Sequence, residues 1–139
     1  MSVLVDTSVW SLALRRAPRS LSPGDKRVVA AWVALVRDGG ALLIGPIRQE
    51  LLSGIRHEAD FERLKDRLAA FDDVPIATTD YEQGAKFYNA CRTRGLAGTA
   101  IDLLICAVAS RNGVPIFTTD RDFARYRGVL PIRLFEPTG

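Results

Sequence analysis

The chain has 139 residues, enough for one domain and too few for two of ordinary size, so a single domain over 1–139 is expected. Hydrophobic residues make up 47% and charged residues 25%, which excludes a disordered or collagen-like chain, and no apolar run reaches the roughly 18 residues that span a bilayer. Nineteen basic residues against 16 acidic ones leave +3, a mild excess, but 16 of the 19 are Arg, the side chain that grips phosphate through paired hydrogen bonds.

Ser2-Val3-Leu4-Val5 is a short apolar run ending at Asp6, the pattern of a buried parallel strand. A short helix from about Ser8 to Leu14 follows, then a basic loop, Arg15-Arg16-Ala17-Pro18-Arg19. Ser22-Pro23-Gly24-Asp25 starts a second helix, with a hydroxyl at the N-cap, Pro at the first helical position and an acid at the third. It carries Val28, Val29, Trp32, Leu35 and Val36 inward, and Gly39-Gly40 ends it. Trp10, Leu12, Leu14, Leu21 and Trp32 are many large apolar groups for one small region, and they read either as core or as surface for a partner.

Ala41-Leu42-Leu43-Ile44 is the second strand, and Gly45-Pro46 opens a helix carrying Ile47, Glu50, Leu51 and Gly54. A further helix is expected near Ala59 to Phe71, with Phe61, Leu64, Leu68 and Phe71 on one stripe. Val74-Pro75-Ile76 is a short third strand. Thr79-Asp80-Tyr81-Glu82 has capping-box spacing, predicting a helix that runs until Gly95. Thr99-Ala100-Ile101-Asp102 is a similar start for the apolar helix Leu103 to Arg111, which Asn112-Gly113 closes. Val114-Pro115-Ile116-Phe117 is the fourth strand, ending in Thr118-Thr119-Asp120. After a short segment from Arg121 to Tyr126, Leu130 to Phe135 supplies a fifth. Strands alternating with helices predict an α/β fold whose parallel sheet is covered on both faces.

Cys91 and Cys106 sit inside apolar helical patterns without CxxC spacing, and read as small core residues in a reducing compartment. The start of the chain has no basic stretch before its acid at position 6, so it does not read as a secretory signal, and a cytoplasmic, membrane-free setting is expected. His57, the single histidine, has no second imidazole or thiolate at ligand spacing, which argues against zinc.

In an open α/β sheet the site lies beyond the carboxyl ends of the strands. Asp6 and Asp120 each end a strand, Glu50 lies early in the helix after the second strand, and Asp102 lies in the first turn of the helix before the fourth. Each also has a structural reading: Asp102 suits the helix dipole, Asp6 and Asp120 suit caps, and Glu50 suits a solvated face. Taken together they invite another interpretation. Acids this close to an apolar layer repel one another unless a cation neutralises them, and Mg²⁺ or Mn²⁺ suits an all-oxygen site.

The stretches Val3-Leu4-Val5-Asp6-Thr7-Ser8, Arg48-Gln49-Glu50-Leu51-Leu52, Ala100-Ile101-Asp102-Leu103-Leu104 and Phe117-Thr118-Thr119-Asp120-Arg121-Asp122-Phe123 resemble the PIN-domain nucleases. Within them the chain is most similar to the VapC-type toxin ribonucleases of bacterial toxin–antitoxin pairs. The resemblance runs over essentially the whole chain. It implies a three-layer α/β/α sandwich with a mainly parallel sheet of about five strands. It further implies a Mg²⁺- or Mn²⁺-dependent endoribonuclease, homodimeric, and inhibited by a small DNA-binding, VapB-like antitoxin. Carried over by motif, Asp6, Glu50, Asp102 and Asp120 form an acidic quartet, with Asp6 and Asp102 as metal ligands. Ser8 is a supporting hydroxyl, and Asp122 is the second acid of a stretch whose role varies across the family. The Arg-rich segment between Ser11 and Ser22 departs from the family pattern.

Phosphodiester cleavage places negative charge on the non-bridging and leaving oxygens, which a carboxylate-held divalent ion stabilises. Arg15, Arg16 and Arg19 are candidate phosphate contacts, and unpaired RNA, such as a single-stranded segment or a tRNA loop, is the expected substrate. A receiver-type signalling module is disfavoured, because it needs paired acids after the first strand and a late Lys, and no Lys follows Lys86. A haloacid-dehalogenase-type phosphatase needs an acid where Ser8 stands. A PIN fold used only for binding or scaffolding is the remaining alternative.

Overall fold

Three consecutive apolar residues, Val3 to Val5, are each at most 1% exposed, so both faces of this first strand, β1, are covered. The computed structural model describes residues 1–137, leaving positions 138 and 139 of the expected domain outside the described residues. β1 lies at the centre of a parallel sheet of order β2-β1-β3, where β2 is Ala41–Leu42 and β3 is Ile116–Phe117. Val3 pairs with Ala41 and Leu4 with Leu42 on one side, and Leu4 pairs with Ile116 and Val5 with Phe117 on the other.

The sheet therefore has three strands, where about five were expected. The two missing ones are present as single parallel bridges, Leu43 to Asp73 beside β2 and Ile116 to Leu134 beside β3. Val74 donates its N–H to the Leu43 carbonyl at 2.8 Å, and Ile116 donates to Arg133 at 2.9 Å. Neither pairing extends into a ladder. On the β2 side the partner segment turns into α3 at Gly45, directly after Leu43 and Ile44, so no extended residue remains for Val74-Pro75-Ile76 to pair with.

Seven α-helices surround the sheet among the described residues: α1 Thr7–Leu14, α2 Pro23–Arg37, α3 Gly45–Leu52, α4 Glu58–Leu68, α5 Thr78–Thr93, α6 Ala100–Asn112 and α7 Asp122–Arg127. Their starts follow local chemistry. Ser22 Oγ accepts the Asp25 N–H at 3.0 Å to open α2, and Thr99 Oγ1 accepts the Asp102 N–H at 3.1 Å to open α6. Gly113 ends α6 at φ 64°, a left-handed conformation that glycine adopts without a Cβ penalty. Every residue from Leu103 to Ala109 is buried, which makes α6 the central helix and accounts for its unbroken apolar run. None of the helices is long and apolar enough to cross a membrane.

The early aromatics are core. Trp10 is fully buried, donates its ring N–H to the Val5 carbonyl at 3.0 Å, and meets Trp32 and Phe71 edge-on at centroid distances of 5.4 and 4.9 Å. Leu12 is buried with them, while Leu14 and Leu21 are half-buried. Gly40 holds the β1–β2 pairing tight, because a Cβ there would run into the Met1 carbonyl oxygen.

The capping box expected at Thr79 is shifted by two residues. α5 begins at Thr78, and Asp80, not Glu82, turns back to accept the Ala77 N–H at 2.8 Å. Asp80 is 1% exposed because it also accepts two hydrogen bonds from the Arg111 guanidinium, at 2.6 and 2.9 Å, while Arg111 donates to the Pro75 carbonyl at 2.9 Å. One ion pair thus ties the start of α5, the end of α6 and the edge segment together. The guanidinium holds the Asp80 carboxyl below its ordinary range, so its contribution to stability is present above that range and lost as pH falls through the lowered value. Asp80→Ala is expected to lower the melting temperature at pH 7, with the gap to wild type narrowing in acid. A pH series of thermal melts checks this.

Candidate active site

The site forms where three chain segments meet at the carboxyl ends of β1 and β3. β1 stops at Asp6, whose extended backbone (φ −75°, ψ 157°) hands the chain directly into α1. The Asp6 side chain is 6% exposed and survives there because its Oδ2 accepts two hydroxyl hydrogen bonds, from Ser8 at 2.9 Å and from Thr118 at 2.7 Å. Ser8 Oγ in turn accepts the Thr119 N–H at 3.0 Å, and Thr118 Oγ1 accepts the Asp120 N–H at 3.0 Å. A small hydroxyl network thereby locks the loop after β3 onto the start of α1.

That loop delivers two more acids. Asp120 Oδ1 accepts the Asp122 N–H at 2.9 Å as α7 begins. Asp102 arrives from the first turn of α6, where Tyr126 of α7 donates its hydroxyl to Asp102 Oδ2 at 3.1 Å. Carboxylate oxygens of Asp102, Asp120 and Asp122 all lie within 4.8 Å of one another. Asp6 stands beside this group, and its charge is felt at Asp102.

Burial leaves Asp102 short of solvation and pushes its carboxyl from the ordinary 3.8 up to about 6; the charges of Asp6 and Asp120 push the same way, against the Tyr126 hydrogen bond. Burial and the neighbouring Asp102 also drive the Tyr126 phenol well above its usual range, keeping it a hydrogen-bond donor. Three converging carboxylates, offering oxygen donors alone, suit a hard divalent cation such as Mg²⁺ or Mn²⁺, and no thiolate or imidazole belongs to the cluster. Cys106 lies nearby in sequence, but burial raises its thiol far above the range of a ligand.

The raised carboxyl has two consequences with opposite signs. Without metal, Asp102 is neutral in folded and unfolded chains below pH 3.8; as pH rises the unfolded chain ionises first, so this group's effect on folding grows unfavourable up to about pH 6. A divalent cation must displace the same proton. Mn²⁺ affinity is therefore expected to fall as pH drops from 7 through 6, as followed by calorimetric titration.

The sequence-based assignments are brought together unevenly. Asp6, Ser8, Asp102, Asp120 and Asp122 share one end of the sheet. Glu50 is exposed on α3, outside the carboxylate cluster, and makes no side-chain hydrogen bond or ion pair among the described residues. Asp122 joins Asp102 and Asp120 in the cluster, and Arg125 also pairs with it at 3.2 Å. Two further groups belong to the site: Thr118, the hydroxyl joining Asp6 to the Asp120 backbone, and Tyr126, the donor to Asp102. Thr118 stands in the Thr-Thr-Asp run after the strand, whereas nothing local in the sequence links Tyr126 to a residue 24 positions earlier.

The PIN domain family matches residues 3–129. Among curated proteins none matches the chain. Among solved structures it is similar to FitAcB from Neisseria gonorrhoeae, at 23% identity over 97% of each chain with a TM-score of 0.75. It is also similar to VapBC2 from Rickettsia felis bound to a DNA fragment from their promoter, at 16% identity over 100% of both chains with a TM-score of 0.73. A third likeness is to VapBC-5, a member of the VapBC family of toxin–antitoxin systems from Mycobacterium tuberculosis, at 18% identity over 97% of this chain and 98% of that one, with a TM-score of 0.67. At such identities the likeness is one of fold.

Proposed function

The chain belongs to the PIN domain family, and on that premise we propose that it is a divalent-metal-dependent endoribonuclease, the toxin of a toxin–antitoxin pair. The observation that carries the reading is the convergence of the Asp102, Asp120 and Asp122 carboxylates beside Asp6 at the carboxyl end of a parallel sheet. Asp102, Asp120 and Asp6 would hold Mg²⁺ or Mn²⁺, with Asp122 completing the oxygen set. Such an ion would supply Lewis acidity there, activating water near neutral pH and offsetting the charge that develops on phosphate oxygens.

The chain's own groups supply the rest. Ser8 and Thr118 occupy the lone pairs of Asp6 Oδ2 and so fix which Asp6 oxygen is free to face the cation. Tyr126 orients Asp102 in the same way. Glu50, exposed and uncommitted, is free to accept a proton from the attacking water once RNA is seated. An unpaired stretch of RNA, or a tRNA loop, fits an open site of this kind.

Partners follow the same chemistry. Without its metal the site is anionic, so a small DNA-binding antitoxin that inserts an Arg or Lys near Asp6 and Asp102 would block it. VapBC2 was determined bound to a DNA fragment from their promoter, which supports a DNA-binding partner. A second copy of the chain would dock on an apolar groove of about 560 Å³ where α3, α5 and α6 meet, lined by Pro46, Gly84, Tyr88, Ile101 and Leu104, with Tyr81 57% exposed at its edge. Tyr81→Arg is expected to shift a homodimer to monomer without lowering the melting temperature, as read by light scattering.

The nuclease reading is tested by incubating the purified chain with single-stranded RNA in Mn²⁺ or in EDTA. Cleavage is expected in Mn²⁺ alone, and a chain that binds RNA but never cuts it would instead be the non-catalytic PIN protein. The toxin reading is tested by induction in bacteria, where growth arrest alone and rescue by the neighbouring short reading frame are expected.

A further inference from the structure

Away from the acids, the end of α1 and one face of α4 enclose a second cleft, of about 430 Å³. Leu14, Ile55 and Leu64 form its floor, and Arg15, Arg63 and Arg67 stand on its rim. Asp60 is the only acid in the lining, and it is engaged by Arg63 at 3.1 Å. Arg15 and Arg67 make no ion pair among the described residues. The cleft therefore carries three guanidinium groups against one carboxylate, and among the described residues Arg15 and Arg67 stay without an ion-pair partner. Arg16 and Arg19, of the same basic segment, are exposed and do not line it.

We propose that this cleft is a phosphate-binding subsite for the RNA strand, with Arg15 and Arg67 as its principal contacts and Arg63 as a third. The proposal rests on the nuclease reading and adds to it the path of the substrate. Asp6 caps the start of α1 and Arg15 caps its end, so the backbones of these two residues lie about 13 Å apart along the helix at its rise per residue. That separation corresponds to roughly four nucleotides at the stacked rise of one strand. A carboxylate site attracts polyanion poorly by itself, so attraction has to come from cations displaced along the strand, and guanidinium forks match phosphate oxygens. An acidic peptide is the competing occupant. RNA is favoured because the cleft lies along the helix that begins at the acids, which lets one strand reach both.

The test compares wild type with Arg15→Gln/Arg67→Gln, neither residue being part of the acidic site. Substrate is a 12-nucleotide single-stranded RNA in Mn²⁺, and its binding is measured in parallel by fluorescence anisotropy over a range of salt. The double variant is expected to melt like wild type, to raise KM about 10-fold with kcat unchanged, and to flatten the log-affinity against log-salt slope by about 1.4, since each phosphate contact on a single strand contributes about 0.7. Unchanged KM and slope in a folded variant would overturn the subsite and leave the nuclease reading standing. Loss of binding to the co-expressed partner protein with RNA affinity unchanged would overturn it in favour of a protein contact. A wild type that binds RNA with the steeper slope yet never cuts it would sustain the subsite and overturn the nuclease reading.

Discussion

Asp102→Asn and Asp6→Asn are each expected to cut RNA cleavage by on the order of 1,000-fold, because each removes a charge that a divalent ion needs while keeping the shape of the side chain. The two variants should part company in stability. Asp102 is desolvated and pressed by Asp6 and Asp120, so replacing it by a neutral amide relieves a penalty that the metal-free protein carries at pH 7. Asp102→Asn is therefore expected to melt higher than metal-free wild type at pH 7, with the difference shrinking toward pH 4, where the wild-type carboxyl is neutral. Asp6 is different. Its Oδ2 accepts from both Ser8 and Thr118, bonds that the Asn oxygen can retain, so Asp6→Asn should stay folded without a comparable gain. Cleavage by either variant at the wild-type rate in Mn²⁺ would remove that residue from the site.

Trp10→Ala is expected to cost about 4 kcal/mol, the usual loss for a buried aromatic truncated to Ala. Trp10 is fully buried, bonds its ring N–H to the Val5 carbonyl, and is the common neighbour of Trp32 and Phe71. Removing it leaves a cavity beneath α1 and α2 and an unpaired carbonyl at the end of β1, one residue from Asp6. Denaturant melts read the loss directly. A variant as stable as wild type would return Trp10 to the role of a partner-facing residue, the other reading that its sequence allowed.

Much of this molecule is legible in order along the chain. The apolar strand ending in an acid, the Ser-Pro-Gly-Asp start of α2, the Gly-Pro start of α3 and the Thr-x-x-Asp start of α6 each have a local cause, and each lies within a residue or two of its observed place. The failures also have causes. Val74-Pro75-Ile76 and Leu130 to Phe135 look like strands because their side chains suit one, but only Asp73 and Leu134 pair, as single bridges, because a ladder also needs a neighbour that stays extended, and the segment beside Asp73 turns into α3 at Gly45. The capping box lies elsewhere because two registers, two residues apart, each offer an acid three residues on, and a tertiary contact, Arg111 with Asp80, selects the one that the local pattern could not.

The candidate site divides along the same line. Asp6, Asp102 and Asp120 could be placed at one sheet edge because strand ends and helix starts converge there in any parallel α/β fold. The standing of Asp122 and the distance of Glu50 from the cluster depend on the angle at which α7 and α3 leave the sheet, which periodicity does not encode. Thr118 and Tyr126 are visible only as contacts across the fold, 112 and 24 positions from the acids they serve.

The most direct measurement is a calorimetric titration of Mn²⁺ into the metal-free protein at pH 7, run beside Asp102→Asn. Saturable binding by wild type, weakened as pH is lowered through about 6 and abolished in the variant, is the expected result. Binding of equal strength in both proteins, or none in wild type, would contradict a metal centre built on Asp102.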